Sequence, residues 1–260
     1  MSTSLFHREL RAGSGSPVIL SHALGLDHEM WLPIIDKMDT KRPILAFDHC
    51  GHGSSFLTNT CSMDDLVKDA ALLIETVSKD NTPVMWLGLS LGAMVGQGLA
   101  IQRPELIDGL LLAHTAARYT LAAKSAWAQR VATVRAQGMA AVVDIIVERY
   151  LCDNYRSQNP LAVSKLKHKL LGNDPASYAA CCEAVANVDW IDALNRVKTP
   201  TLILAGAYDK GATPEMADEI HQRIVSSQLT VLPEVSHLSP WEDSEAFALI
   251  TNKFISTLTI

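Results

Sequence analysis

No Lys/Arg block or stripe runs through this 260-residue sequence, and its formal net charge is −6, so the electrostatic footprint of a phosphate-backbone binder is missing. No apolar run approaches the ~18 residues of a membrane span, and Met1 to Gly13 is polar and charged without the apolar core of a secretory leader. These absences argue against nucleic acid and membrane as partners and lead us to expect a cytoplasmic protein. Cysteine is scarce. Cys50, Cys61, Cys152, Cys181 and Cys182 form an odd set without C-x-x-C spacing, whereas disulfide frameworks belong to short secreted chains with even numbers. The five are expected as thiols. There is no internal repeat and no low-complexity segment, and Gly13-Ser14-Gly15-Ser16 reads as a turn.

What is present is the composition of a globular chain, 48% hydrophobic and 19% charged, of a length that one large core, or one core with an insertion, can use. Short aliphatic runs bounded by turn residues alternate with helix-patterned stretches, which predicts an α/β protein with a mostly parallel central sheet flanked by helices. Strands are expected near Pro17–His22, Pro43–Asp48, Pro83–Leu89, Leu110–His114, Thr201–Ala205 and Leu229–Leu232, with a weaker one near Leu5–Arg11. Helices are expected at Met63–Ser78, Leu91–Gln102, Pro214–Ile224 and Ser244–Leu258, where apolar residues return at three- and four-residue intervals. The runs Val84-Met85-Trp86-Leu87 and Leu202-Ile203-Leu204 are continuous rather than alternating, as interior strands covered on both faces require. About 85 residues separate the strand ending at His114 from the one starting at Thr201, far more than a crossover needs. Their helical patterns, at Leu121–Gln137, Met139–Leu151, Val163–Leu171 and Ala176–Val188, predict an inserted helical lid over residues 115–200, with 1–114 and 201–260 forming the core.

Gly88-Leu89-Ser90-Leu91-Gly92 fits G-x-S-x-G between an apolar strand and a helix. There the glycines leave room for a tight turn that lifts the Ser90 hydroxyl above the sheet, and the helix N-terminus aims free N–H groups at the same spot. A serine hydroxyl needs a base to take its proton. Asp209, at the end of the strand Thr201–Ala205, and His237, in the loop after Leu229–Leu232, follow in the order acid then base, both beyond the carboxyl ends of strands. Ser90 is thus the candidate nucleophile, His237 the general base and Asp209 the acid that orients it. Two backbone N–H donors should hold the oxyanion: Leu91, next to the nucleophile, and Leu24 in the turn Ser21-His22-Ala23-Leu24-Gly25, with Ala23 as second choice. His22 reads as a hydrogen-bond partner that stabilises this turn, in preference to a residue lining the pocket. Asp48, His49, Cys50 and His52 lack a second ligand cluster, so they are read as a Gly-rich turn and no metal site is expected. His7, His168 and His221 are expected in solvent, and His114 either lines the pocket or packs.

The chain resembles the 3-oxoadipate enol-lactone hydrolases (β-ketoadipate enol-lactonases) of the α/β-hydrolase superfamily nearly end to end. The resemblance is carried by Leu20-Ser21-His22-Ala23-Leu24-Gly25 with Met30-Trp31, by Asp48, Gly51-His52-Gly53 and Ser55, and by the elbow extended through Ala93-Met94-Val95-Gly96-Gln97. Its more specific part lies in Thr115-Ala116-Ala117, Trp127-Ala128-Gln129-Arg130, Val134-Arg135-Ala136-Gln137-Gly138-Met139 and Glu148-Arg149. Three places depart from the pattern: Cys50 stands where the family usually has Arg or Pro, the acid loop Asp209–Pro214 is one residue longer, and Pro240-Trp241 is unusual.

The resemblance implies the α/β-hydrolase fold and hydrolysis of a small carboxylated enol-lactone to 3-oxoadipate, in the catabolism of aromatic compounds, through an acyl-enzyme and without cofactor or metal. A carboxylesterase, another lactonase or a carbon–carbon bond hydrolase would use the same triad, and a ligand sensor with a slow triad is the reading from another class. The partner expected is a small-molecule substrate, met by a monomer or a homo-oligomer. Trp127 and Arg130 share one face of the helix Leu121–Gln137, which suits a lactone bearing a carboxylate, although Trp127 packing within the lid and Arg130 in solvent is the competing reading. Arg118 is the reserve candidate for the same charge.

Overall fold

The computed structural model describes residues 5–56, 61–78 and 82–258. Its sheet has seven strands: β1 (His7–Arg11), β2 (Val18–Ser21), β3 (Ile44–Phe47), β4 (Val84–Leu89), β5 (Ile107–Ala113), β6 (Thr201–Gly206) and β7 (Ser227–Leu232), in the spatial order β1-β3-β2-β4-β5-β6-β7. β1 runs antiparallel to β3, and all other neighbouring pairs are parallel. Every residue of β2, β3, β4 and β6 is buried, which is why their sequences are dominated by apolar residues. The edge strands β1 and β7 are largely open to solvent.

Two strands begin earlier than the apolar runs suggest. β5 starts at Ile107, where Pro104–Leu106 forms a 3-10 turn that feeds directly into it, and the gap left by Gly109 is filled by Leu258, which a Cβ there would meet at 2.4 Å. β7 starts at Ser227, and its polar opening is tolerated because the strand lies at the edge.

α1 (Leu32–Ile35) is a single turn after a 3-10 segment at His28–Trp31. α2 (Met63–Val77) starts at Ser62, whose hydroxyl accepts from Asp65 N–H while the Asp65 carboxylate reaches back to the Ser62 N–H, a reciprocal cap that satisfies two orphan donors. α3 (Leu91–Gln102) is buried over ten of its residues, wedged against the sheet. The inserted segment contains α4 (Leu121–Gln137), α5 (Val143–Tyr150), α6 (Asp153–Gln158), α7 (Pro160–Leu171) and α8 (Pro175–Ala186). α6 was not anticipated and α7 starts before Val163, because Pro160 at its first position presets the helical φ and ends whatever precedes it. α9 (Pro214–Arg223) likewise begins on proline; α10 (Ser239–Glu242) is a short unanticipated turn, and α11 (Ser244–Ile255) is capped by Asp243. No helix among the described residues is long and apolar enough to cross a membrane.

The core is continuous from the sheet into the insert. Phe47 packs on Trp86 at 5.7 Å between ring centroids and Trp31 on Phe247 at 6.3 Å, and full burial of a side chain the size of Phe contributes roughly 1.5–3 kcal/mol. This packing fixes the carboxyl ends of β2, β4, β5 and β6 as a platform, and the loops leaving that platform hold the chemistry.

Candidate active site

Ser90 caps α3 with φ 57° and ψ −109°, a region that non-glycine residues rarely enter, so the elbow stores strain. Its surroundings hold it there. Ser90 N–H donates to Ala113 O at 2.8 Å, and its carbonyl accepts from Met94 N–H and from the Thr115 hydroxyl. The flanking glycines are demanded by contact: a Cβ on Gly88 would lie 2.3 Å from Gly92 O, and one on Gly92 would lie 2.1 Å from Ser21 O. No hydrogen bond joins the Ser90 hydroxyl to His237 in this conformation, and the hydroxyl has no partner among the described residues.

Asp209 and His237 are brought together. His237 Nδ1 lies 2.6 Å from Asp209 Oδ2, while Asp209 Oδ1 accepts Gly211 N–H and Ala212 N–H at 2.8 and 2.9 Å. The acid loop therefore wraps its own carboxylate. Burial works to raise the Asp209 pKa, but the charge of His237 and the nearness of His114 overcome it and hold the carboxyl well below the usual range. An ionised carboxylate only accepts hydrogen bonds, so Nδ1 of His237 carries the proton and Nε2 is left with its lone pair.

His114, left open between pocket and packing, is fully buried with φ 49° and faces the same carboxylate. Its Nε2 lies 2.6 Å from the Ser239 hydroxyl and its Nδ1 3.4 Å from Asp209 Oδ2. The adjacent carboxylate favours the tautomer with its proton on Nδ1 and Ser239 donating to Nε2, although Nδ1 makes no aligned hydrogen bond. Burial lowers the His114 pKa and keeps it neutral.

The turn after β2 is built by three neutral histidines. His22 Nε2 accepts His49 N–H at 2.8 Å and its Nδ1 bonds Ala23 O, His49 Nε2 meets the Ser21 hydroxyl, and His52 Nε2 accepts Gly25 N–H at 2.9 Å. Burial lowers the pKa of all three. Of the two proposed donors in this turn, Ala23 N–H is engaged by the Met30 sulfur at 3.3 Å, whereas Leu24 N–H has no partner among the described residues. Leu91, the first residue of α3, lies in the helical turn whose N–H groups lack intrahelical acceptors.

Trp127 and Arg130 share a face as expected, with the guanidinium 4.6 Å from the Trp127 ring centroid. They line a cavity of about 400 Å³ together with Tyr119, Arg149, Lys210 and Gly211; Ser90, Leu24 and Leu91 do not line it. No carboxylate pairs with Arg130 or Arg149 among the described residues. Burial and the neighbouring Arg130 push the Arg149 guanidinium below its ordinary value. Arg118 is a correction: it pairs with Glu219 at 3.1 Å on an exposed surface, so its charge is already matched. His221 is also not free in solvent, since its Nδ1 lies 2.8 Å from the Ser227 hydroxyl.

Sequence reasoning missed Tyr150. Its ring stacks on His237 at 4.9 Å between centroids, its hydroxyl donates to Leu24 O at 2.7 Å, and its carbonyl accepts His237 and Leu238 N–H. The only available signal was its place directly after Glu148-Arg149.

A mostly parallel seven-stranded sheet with a serine at the β4–α3 elbow and an Asp–His pair at the ends of later strands defines an α/β-hydrolase, and the chain is a hydrolase. It belongs to the Hydrolase_4 family, described as Serine aminopeptidase, S33, matched over residues 37–243, and within the α/β-hydrolases to the 3-oxoadipate enol-lactonase family. It is 33% identical over 231 residues to 3-oxoadipate enol-lactonase 2 of Acinetobacter baylyi, covering 88% of this chain and 85% of the relative. The crystal structure of the enol-lactonase from Burkholderia xenovorans superposes with a TM-score of 0.91 at 28% identity, covering 97% of this chain and 96% of that one. A thermophilic esterase from Thermogutta terrifontis, solved with malate bound, gives a TM-score of 0.90 at 25% identity over 98% of this chain and 94% of its own.

Proposed function

We propose that the protein hydrolyses a small carboxylated enol-lactone, 3-oxoadipate enol-lactone to 3-oxoadipate, through an acyl-enzyme. Ser90 attacks the lactone carbonyl as His237 Nε2 takes its proton, and the Leu91 and Leu24 N–H groups receive the oxyanion. Asp209 keeps the imidazole in the tautomer that can do this and stabilises the imidazolium that forms. Collapse of the tetrahedral species breaks the ring ester bond, and His237 returns the proton to the departing enol, which tautomerises to the ketone. Water activated by His237 then releases the acid.

The observation that carries the substrate class is the pair of guanidiniums, Arg130 and Arg149, without acidic partners beside the acid loop. Burial beside Arg130 disfavours the charged form of Arg149, so such a pair is expected where an anion arrives with the ligand. Trp127 supports one cation through its ring face. The malate-bound esterase supports the reading, since malate is itself a carboxylate.

The test compares variants on 3-oxoadipate enol-lactone and on neutral p-nitrophenyl acetate. Ser90→Ala should remove turnover of both by several orders of magnitude. Arg130→Met should raise KM for the lactone about tenfold or more while leaving the neutral ester nearly untouched, and Arg118→Met should change neither. Equal losses on charged and neutral substrates would assign Arg130 a structural role and leave the carboxylate reading without its main support.

A further inference from the structure

Tyr150 is the last residue of α5, in the insert, yet it touches both halves of the hydrolytic centre. It is 4% exposed, and burial raises its phenol above the ordinary value, so the hydroxyl stays a donor. That donor meets Leu24 O at 2.7 Å across 126 residues of sequence. Leu24 O and the Leu24 N–H aimed at the oxyanion belong to adjacent peptide planes, so fixing one plane limits the rotation that would turn the other away. Gly25 N–H is fixed in turn by His52. On its other side, Tyr150 lays its ring almost parallel to the His237 imidazole, at an interplanar angle of 28°. Its carbonyl accepts His237 N–H at 3.2 Å and Leu238 N–H at 3.0 Å, and the preceding carbonyl, of Arg149, accepts the Ser236 hydroxyl at 3.0 Å.

We propose that Tyr150 is a positioning residue that holds the oxyanion turn and the base in one frame, making the end of α5 a working part of the hydrolytic centre. The inference rests on the serine-hydrolase reading above. It has two physical parts. The hydroxyl sets the direction of the Leu24 N–H, and displacement of a donor by a fraction of an ångström weakens its hold on the oxyanion. The ring fixes the plane of the imidazole, and its face favours the imidazolium that forms when His237 takes the Ser90 proton, a charge present in the transition state and absent from the resting enzyme.

The experiment uses p-nitrophenyl acetate turnover, with phenylboronic acid as the transition-state mimic. Ser90 Oγ adds to boron, its proton passes to His237, and the resulting tetrahedral boronate anion occupies the place of the oxyanion. In Tyr150→Phe, which keeps the ring and loses the hydroxyl, kcat should fall about tenfold, below the ~10²–10³ of a lost donor, with KM near wild type and boronate affinity reduced by a similar factor. Tyr150→Leu should lose more, since it removes the stack as well. All rates are taken well below each variant's melting temperature, so that loss of fold does not enter; if the Leu variant does not fold, Tyr150→Phe decides alone. A Tyr150→Phe enzyme that melts earlier but keeps wild-type kcat and boronate affinity per folded molecule would overturn the proposal and leave Tyr150 a structural residue. Retention of activity by Ser90→Ala would instead bring down the serine reading, and this inference with it.

Discussion

Acid should loosen the turn that carries Leu24, and His52 offers a way to measure by how much. Its Nε2 accepts Gly25 N–H and its Nδ1 faces Cys50 O, an arrangement that requires the neutral ring. Burial, reinforced by His22, lowers its pKa from 6.5 to about 3. The folded state therefore resists a proton that the unfolded chain accepts readily. The stabilising contribution is complete above the unfolded value near 6.5 and is lost progressively as pH falls toward 3. Two units below the unfolded value, near pH ~4.5, the loss from this one ring is on the order of 2–3 kcal/mol, at ~1.36 kcal/mol per unit. His22 and His49, with pKa values lowered in the same direction, add to the wild-type loss, so the contribution of His52 must be isolated by substitution. His52→Gln places an amide oxygen where Nε2 sits, able to accept from Gly25, and cannot titrate. Urea unfolding near pH ~7 and ~4.5 should show the variant losing less stability between the two conditions than wild type, by roughly 2–3 kcal/mol. The quantity compared is the difference between pH values, so an overall destabilisation of the variant does not affect it. Equal losses in both proteins would refute the argument.

Two further outcomes follow from the site's geometry. Asp209→Asn should cut kcat on p-nitrophenyl acetate by about 10³–10⁴, because a neutral amide no longer enforces the Nδ1–H tautomer, while leaving more activity than Ser90→Ala; near-normal turnover would show that the orienting role lies elsewhere. Gly92→Ala should destabilise by about 1–3 kcal/mol, read as a lower melting temperature, since its Cβ would lie 2.1 Å from Ser21 O. Gly172→Ala, with ordinary contacts at 3.5 Å or more and a helical φ of −75°, is the matched control and should be neutral or mildly stabilising.

The parts of the molecule that local sequence reveals are those whose causes are local. β4 announces itself because burial on both faces leaves no polar position, β2 and β6 because it leaves only Ser21 and Thr201, and the elbow because Gly88 answers a clash with nearby Gly92. Asp209 and His237 are legible through order, each following a readable strand. The start of β7 is hidden because an edge strand needs no apolar residue at Ser227 or Gln228, and α10 is hidden because one turn carries too little periodicity. Arg118 misleads for a related reason: the sequence shows a charge but not its partner, and Glu219 lies 101 residues away. His114 with Ser239, and Tyr150 with Leu24, are joined across 125 and 126 residues, and nothing in either local pattern encodes the meeting. Ser239 and Trp241 prove to be ties: Ser239 bonds His114, and Trp241 Nε1 donates to Met30 O, next to the turn whose Ala23 N–H the Met30 sulfur holds.

The insert leaves and rejoins the core through a neck closed on itself, where Arg118 and Asp189 form an isolated antiparallel bridge and Trp190 N–H donates to Ala117 O at 2.8 Å. For the core, the stretch between Arg118 and Asp189 therefore leaves and returns at one point, whatever its contents. Replacement of the residues between Arg118 and Asp189 would leave the paired ends of the neck in place, so the core strands need not move to accept a different segment. Tyr150 lies within that segment, so on the proposal above a replacement would have to bring its own group to hold Leu24 O and the His237 ring.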